Sequence, residues 1–125
     1  MAYGSPRTRD DVLPYYTDIR RGRPPTDEQL ADLIRRYEAI ATDGGDGLSP
    51  LAERTEAQRV ALQAALDELA PGRYLVALGL KHAAPSVEDA VETMASSGID
   101  AIVGLVLAPH YSALSVGQYL DRLRA

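Results

Sequence analysis

A three-layer α/β fold built on a parallel sheet is the architecture the sequence predicts, and three observations carry it. Two runs, Tyr74–Leu80 (YLVALGL) and Ala101–Leu107 (AIVGLVL), are almost wholly apolar, as strands covered on both faces must be. Segments with helical spacing precede, separate and follow them, and such alternation implies parallel strands with helices on the sheet faces. The chain has 125 residues, 46% hydrophobic and 25% charged, enough for one domain with a core.

Each element has a local reason. Met1–Tyr3 reads as the end of a first strand, followed by a turn at Gly4-Ser5-Pro6; it is shorter than the usual strand of about five residues. Asp10 or Asp11 can cap a helix reaching about Arg21, with Pro14 inside its first turn. Gly22 ends that helix and Pro24-Pro25 prevent its restart. Thr26 caps a second helix, with Gln29 placed as in a capping box and Leu30, Leu33, Ile34, Tyr37 and Ile40 on one face. Thr42–Gly47 (TDGGDG) is a loop by composition. Ser49-Pro50 begins a third helix that extends to about Leu69, with Leu62, Leu66 and Leu69 as its apolar stripe. Pro71-Gly72 makes a turn before the first apolar run. Ser86 opens a fourth helix, which packs through Val87, Ala90, Val91 and Met94 and stops before Gly98. Glu88 and Asp89 fall in its first turn, where carboxylates meet the positive end of the helix dipole. Ser115 caps a last helix, SVGQYLDRLRA.

Composition excludes several classes. There is no Phe, Trp or Cys, so the core is aliphatic, and neither disulfides, thiolate ligands nor a thiol nucleophile are available. This accords with a cytoplasmic location. No segment is apolar for long enough to span a membrane, and MAYGSPRTRDD has no signal-peptide core. A net charge of -5 and a pI near 4.9 argue against general nucleic-acid binding. Dinucleotide, Walker and nucleophile-elbow motifs are missing.

Ligands of open parallel sheets bind beyond the carboxyl ends of the strands. That rule selects Tyr3–Pro6, Lys81–Pro85 and Ala108–Ser115, and both histidines, His82 and His110, fall within these loops. Each histidine is also readable as structural or solvated, and two histidines alone make a weak metal signal. Against the acidic background stands PYYTDIRRGRPP, with Arg20, Arg21 and Arg23. Cations at a helix end can simply meet the dipole. Arginine's planar fork also suits carboxylates, and Tyr15 and Tyr16 add flat apolar surface. A flat, largely apolar anion such as a porphyrin with propionate groups matches that wall.

The stretches MAYGSP, DVLPYYTDIRRGRPP, RYEAI followed by SPL, GLKHAAPSVEDAV and GLVLAPHYSALSVGQY resemble, in order and across essentially the whole chain, the N-terminal half of bacterial ferrochelatases, above all the coproporphyrin-type enzymes of Gram-positive bacteria. The resemblance implies one of the two α/β lobes of a chelatase and insertion of Fe²⁺ into a porphyrin, coproporphyrin III or protoporphyrin IX, in heme biosynthesis. It implies porphyrin-binding roles for Tyr3, Arg20, Arg36, Tyr37, Ser49 and Tyr119, with Tyr3 also facing the metal. No cofactor beyond the Fe²⁺ substrate is implied. No catalytic residue is assigned here, because the family's metal-delivering histidine and glutamate belong to a second lobe. The expectation is an N-terminal lobe with a truncated first strand, partnered by a C-terminal lobe or by a second copy of itself, without nucleic acid or membrane. Two other readings remain: a tetrapyrrole-binding half-chelatase and a non-catalytic anion-binding domain. Asp18 stands where relatives usually have histidine, and the Thr42–Gly47 loop is longer than theirs.

Overall fold

The computed structural model describes residues 1–41, 48–108 and 110–125; the expected Thr42–Gly47 loop lies outside them. Five α-helices are described: α1 (Val12–Ile19), α2 (Asp27–Ile40), α3 (Pro50–Leu69), α4 (Val87–Ser96) and α5 (Gln118–Arg124), the last entered through a π-helical turn at Ala113–Gly117. Two compact units divide the chain, one formed by Gly4–Gln58 and the other by Met1–Tyr3 with Arg59–Ala125. None of the described helices is long and apolar enough to cross a membrane.

In the Gly4–Gln58 unit the first helix begins differently from expectation. Asp11 stands at the N-cap position, but its side chain makes no bond into α1. The carboxylate turns back and accepts from the Thr8 amide at 2.8 Å, the Thr8 hydroxyl at 2.9 Å and the Arg7 amide at 3.2 Å. Those bonds, the Thr8 amide first, hold its pKa below the ordinary carboxylate value. α1 then buries Val12 and Tyr15.

Its C-terminus corrects the sequence reading as well. The Gly22 amide donates to the Thr17 carbonyl and the Arg21 amide to the Asp18 carbonyl, both at 2.9 Å. This pair of bonds is a Schellman closure, and the left-handed residue it requires is Arg21 (φ 57°) rather than Gly22. Gly22, also left-handed at 82°, carries the chain onward. α2 follows the sequence closely: Thr26 and Gln29 form the full capping box. Leu30, Leu33, Ile34 and Tyr37 are half-buried, while Ile40 is exposed.

The Arg59–Ala125 unit holds the two apolar runs and the Met1–Tyr3 segment. Met1–Tyr3 is in parallel register with the end of the first run. The Ala2 amide donates to the Gly79 carbonyl at 3.1 Å, the Lys81 amide to the Ala2 carbonyl at 2.9 Å and the His82 amide to the Tyr3 carbonyl at 3.0 Å. On the other side the Met1 nitrogen reaches the Leu105 carbonyl at 2.6 Å. Parallel pairing is thus seen as isolated bridges, Ala2 with Leu80 and Leu80 with Ser86; a continuous ladder is not formed among the described residues.

Burial along 101–107 alternates residue by residue, with Ile102, Gly104 and Val106 turned inward and Val103, Leu105 and Leu107 exposed. One side of this run is therefore covered, not both. Glycines permit the close packing. A Cβ on Gly79 would lie 2.9 Å from the Val87 Cα at the start of α4, and one on Gly104 would run into Leu123 Cδ2 of α5.

Of the expected leucine stripe, α3 turns only Leu66 inward. Leu62 and Leu69 are exposed, whereas Arg59, Gln63, Leu66 and Ala70 are half-buried. Gln63 accepts from the Val76 amide at 2.8 Å and donates to the Tyr74 carbonyl at 3.0 Å, bonding to the run as a neighbouring strand would. Polar side chains were the better choice because the backbone they face has donors and acceptors to satisfy. α4 begins at the predicted Ser86, which forms a capping box with Asp89. Ser115, by contrast, caps nothing: it lies inside the π turn that begins at Ala113, where the Ser112 carbonyl accepts from both the Ser115 and the Gly117 amides, and α5 itself starts only at Gln118.

Candidate functional site

Parts of the three loops selected at the strand ends meet in one unit, through Tyr3, Lys81, His82 and Leu114. Tyr3, half exposed, stacks on His82 with ring centroids 4.6 Å apart and planes tilted by 60°. The register bonds of Ala2 and Tyr3 to Lys81 and His82 place these side chains together. Lys81 reaches across the same corner. Its ammonium donates to the Leu114 carbonyl at 3.2 Å and lies 5.5 Å from the Tyr119 ring centroid and 5.8 Å from that of Tyr3. A cation so placed is attracted to both ring faces, by about 0.5–1 kcal/mol each where water has access.

Tyr119 is buried at 3% exposure. Burial, followed by the proximity of Tyr3, raises its phenol above the ordinary value, so it is a neutral hydrogen-bonding group near pH 7. Two predicted residues, Tyr3 and Tyr119, are thus joined through Lys81, to which the sequence reading gave no such role. His110 is exposed. Among the described residues no three His, Cys, Asp or Glu side chains gather to hold a metal ion.

Behind this cluster lies Arg122 of α5. Its Nε and Nη2 donate to the two oxygens of Glu88 at 2.7 and 2.5 Å, and its Nη1 donates to the Lys81 carbonyl. The Arg122 hydrogen bond holds the Glu88 carboxyl down to about 2. Nothing in the local sequence announces this contact, because its partners are 34 and 41 residues away.

The remaining predicted residues, Arg20, Arg36, Tyr37 and Ser49, belong to the Gly4–Gln58 unit. Arg20 sits at the end of α1, with its guanidinium 5.5 Å from the Tyr16 ring centroid. Its Nη1 donates to Gln29 Oε1 at 2.6 Å, the same oxygen that accepts from the Thr26 amide in the capping box. The start of α2 therefore aims Arg20. One donor of the guanidinium's five is used in that bond, which leaves the fork able to take a carboxylate.

Arg36 pairs with Asp32 at 2.5 Å, and Arg35 reaches the same carboxylate at 3.0 Å. Both arginines are exposed, and such pairs are worth at most about 1 kcal/mol, so they do not hold Asp32 tightly. Tyr37 makes an edge-to-face contact with the buried Tyr15, centroids 6.2 Å apart. Ser49 is buried at 5% exposure, and its hydroxyl accepts from the Leu51 amide at 3.3 Å, an opening bond for α3.

The family model of the ferrochelatases matches residues 1–125. The chain is 52% identical over 123 residues to the coproporphyrin III ferrochelatase of Staphylococcus epidermidis, 51% to that of Staphylococcus aureus and 50% to that of Halalkalibacterium halodurans. Each match covers 98% of this chain and 38% of the relative.

Proposed function

Because the chain belongs to the ferrochelatase family, we propose that the protein of which it forms at least a part inserts Fe²⁺ into a porphyrin, with coproporphyrin III as substrate, in heme biosynthesis. The observation that carries the proposal is identity near 50% along nearly the whole chain to enzymes named for that reaction. We further assign the three-layer parallel sheet to this lobe. The parallel bonds of Met1–Tyr3 to Gly79–His82 and the period-two burial of 101–107 support it. A cytoplasmic location accords with the cysteine-free sequence.

Metallation replaces two pyrrole N–H protons by one Fe²⁺, so the ring nitrogens must be held open while two protons leave. On this reading Arg20, aimed by Gln29, anchors a propionate, and Arg36 exchanges Asp32 for another anionic group. Tyr3, stacked on His82 and near the Lys81 ammonium, would offer its phenol oxygen to the metal. Tyr119 supplies a neutral hydroxyl, while Tyr37 and Ser49 are further porphyrin-binding positions. None of the present residues is assigned as the base. No resident cofactor takes part, since iron is substrate, and a partner lobe or second copy completes the site.

Coproporphyrin III titrated into the purified chain should change its absorbance and fluorescence saturably; protoporphyrin IX is the comparison. Anaerobic addition of Fe²⁺ should yield the metallated spectrum when the chain is joined to the remaining length its relatives possess. Binding without metallation in that longer protein would favour a tetrapyrrole-holding module. Absence of any porphyrin binding there would defeat the proposal.

A further inference from the structure

We propose that Arg122 is a positioning residue of the Tyr3–Lys81–His82–Tyr119 cluster: its guanidinium grips the Lys81 carbonyl and the Glu88 carboxylate together and so fixes the corner from which Lys81 and His82 reach the tyrosine rings. The use of that cluster rests on the tetrapyrrole reading above; its geometry does not.

Residues three apart share a helix face. From one face α5 therefore sends Tyr119 beneath the Lys81 ammonium and Arg122 to the Lys81 carbonyl. Lys81 is held at both ends by one short helix, with the Leu114 carbonyl as a further partner of its ammonium. The arrangement needs arginine. Two donors engage both Glu88 oxygens while a third engages the carbonyl, and a lysine ammonium lacks that planar fork. Glu88 gives the pair local neutrality. Its carboxyl, held at about 2, remains ionised throughout the neutral range. The Lys81 and His82 amides are meanwhile bonded to the Ala2 and Tyr3 carbonyls. Loosening the Lys81 carbonyl therefore shifts the residue that sets both ring contacts.

The test uses the chain and its Arg122→Gln, Arg122→Lys and Glu88→Gln variants. In proton–carbon NMR the Lys81 ε-protons of the wild type should be shifted upfield by the Tyr119 and Tyr3 ring currents. Arg122→Gln should move them toward the position of a free lysine while the methyls of the buried Val87 stay native. Arg122→Lys should be intermediate, and Glu88→Gln, which keeps the bond to the Lys81 carbonyl, should disturb them least. Coproporphyrin III fluorescence titration should show Arg122→Gln binding weakened by about tenfold, a loss on the scale of one well-made polar contact.

Wild-type Lys81 shifts in Arg122→Gln would overturn the proposal. So would wild-type shifts in Arg122→Lys, which keeps the charge and guards against a variant that fails to fold. A wild-type chain that binds no coproporphyrin III would count against the functional reading alone, and the Lys81 signals would still decide the role of Arg122.

Discussion

Replacing Gly79 by alanine should destabilise the protein through a single misplaced methyl. The new Cβ would meet the Val87 Cα at 2.9 Å and the Ala90 Cβ at 3.4 Å. The first of these is backbone and cannot rotate away. Val87 is itself buried at 1% exposure and is the first residue of a helix fixed by the Ser86–Asp89 capping box, so relief requires α4 to move as a body. Overpacking of this kind costs about 1–3 kcal/mol. Alanine returns about 0.4–1 kcal/mol by restricting the unfolded chain, leaving a net loss of up to about 2.6 kcal/mol, toward the upper end here because the 2.9 Å clash is with backbone. For a chain of this size that corresponds to a fall in Tm of up to about 10 °C, measurable by circular dichroism. Gly104→Ala is the control: its Cβ would meet Leu123 Cδ2 and Met1 Cε, both ends of flexible side chains that can turn aside, so the loss should be smaller. A Gly79→Ala protein as stable as the wild type, or a Gly104→Ala protein less stable than Gly79→Ala, would refute this account of how α4 is seated.

Three further outcomes can be checked. Gln63→Leu removes the bonds to Tyr74 and Val76 and should cost about 1–3 kcal/mol, with faster hydrogen exchange at the Val76 amide; unchanged exchange there would contradict the role given to the side chain. The folded pKa of Glu88, about 2, lies below its ordinary 4.5. Its contribution is therefore complete above pH 4.5 and is lost as pH falls from there toward 2. The carboxylate is 51% exposed, which screens the effect to about 1 kcal/mol or less; Glu88→Gln should flatten that part of the stability–pH curve. Arg20→Ala should weaken coproporphyrin III binding by about ten- to a hundred-fold, the scale of a charged hydrogen bond at roughly 1.5–3 kcal/mol, with Arg21→Ala doing less. Equal affinities for wild type and Arg20→Ala at several salt concentrations would remove Arg20 from the site.

What could be read from the sequence follows the range of the interaction. Thr26 with Gln29 and Ser86 ahead of α4 were legible because a capping box closes within one turn. The loop rule selected Tyr3 and His82 together because it depends only on the order of elements; their stacking is seen only in the structure. Asp11 misled, since its carboxylate had upstream amides to choose from as well as the helix. Arg21 was hidden because left-handed backbone favours glycine, and Gly22 stood next to it. The inward face of α3 was hidden because Arg59 and Gln63 satisfy backbone groups met only after folding, so the leucine stripe looked the better candidate. Lys81 and Arg122 owe their places to partners far along the chain, which periodicity does not register. The family resemblance named Tyr3 and Tyr119, but not the way Lys81 links them.

The Gln63 amide has a consequence for solubility. Tyr74–Leu80 is an uncharged, almost wholly apolar run, the kind of segment that recruits a second chain through unpaired backbone. Gln63 occupies the Tyr74 carbonyl and the Val76 amide, and Arg59 Nη1 approaches the Val76 carbonyl at 3.4 Å. An intruding strand must first displace an amide that matches the backbone's own bonding pattern and a cation that resists close approach by apolar side chains. A side chain borrowed from the neighbouring helix thus acts as a gatekeeper against cross-β association.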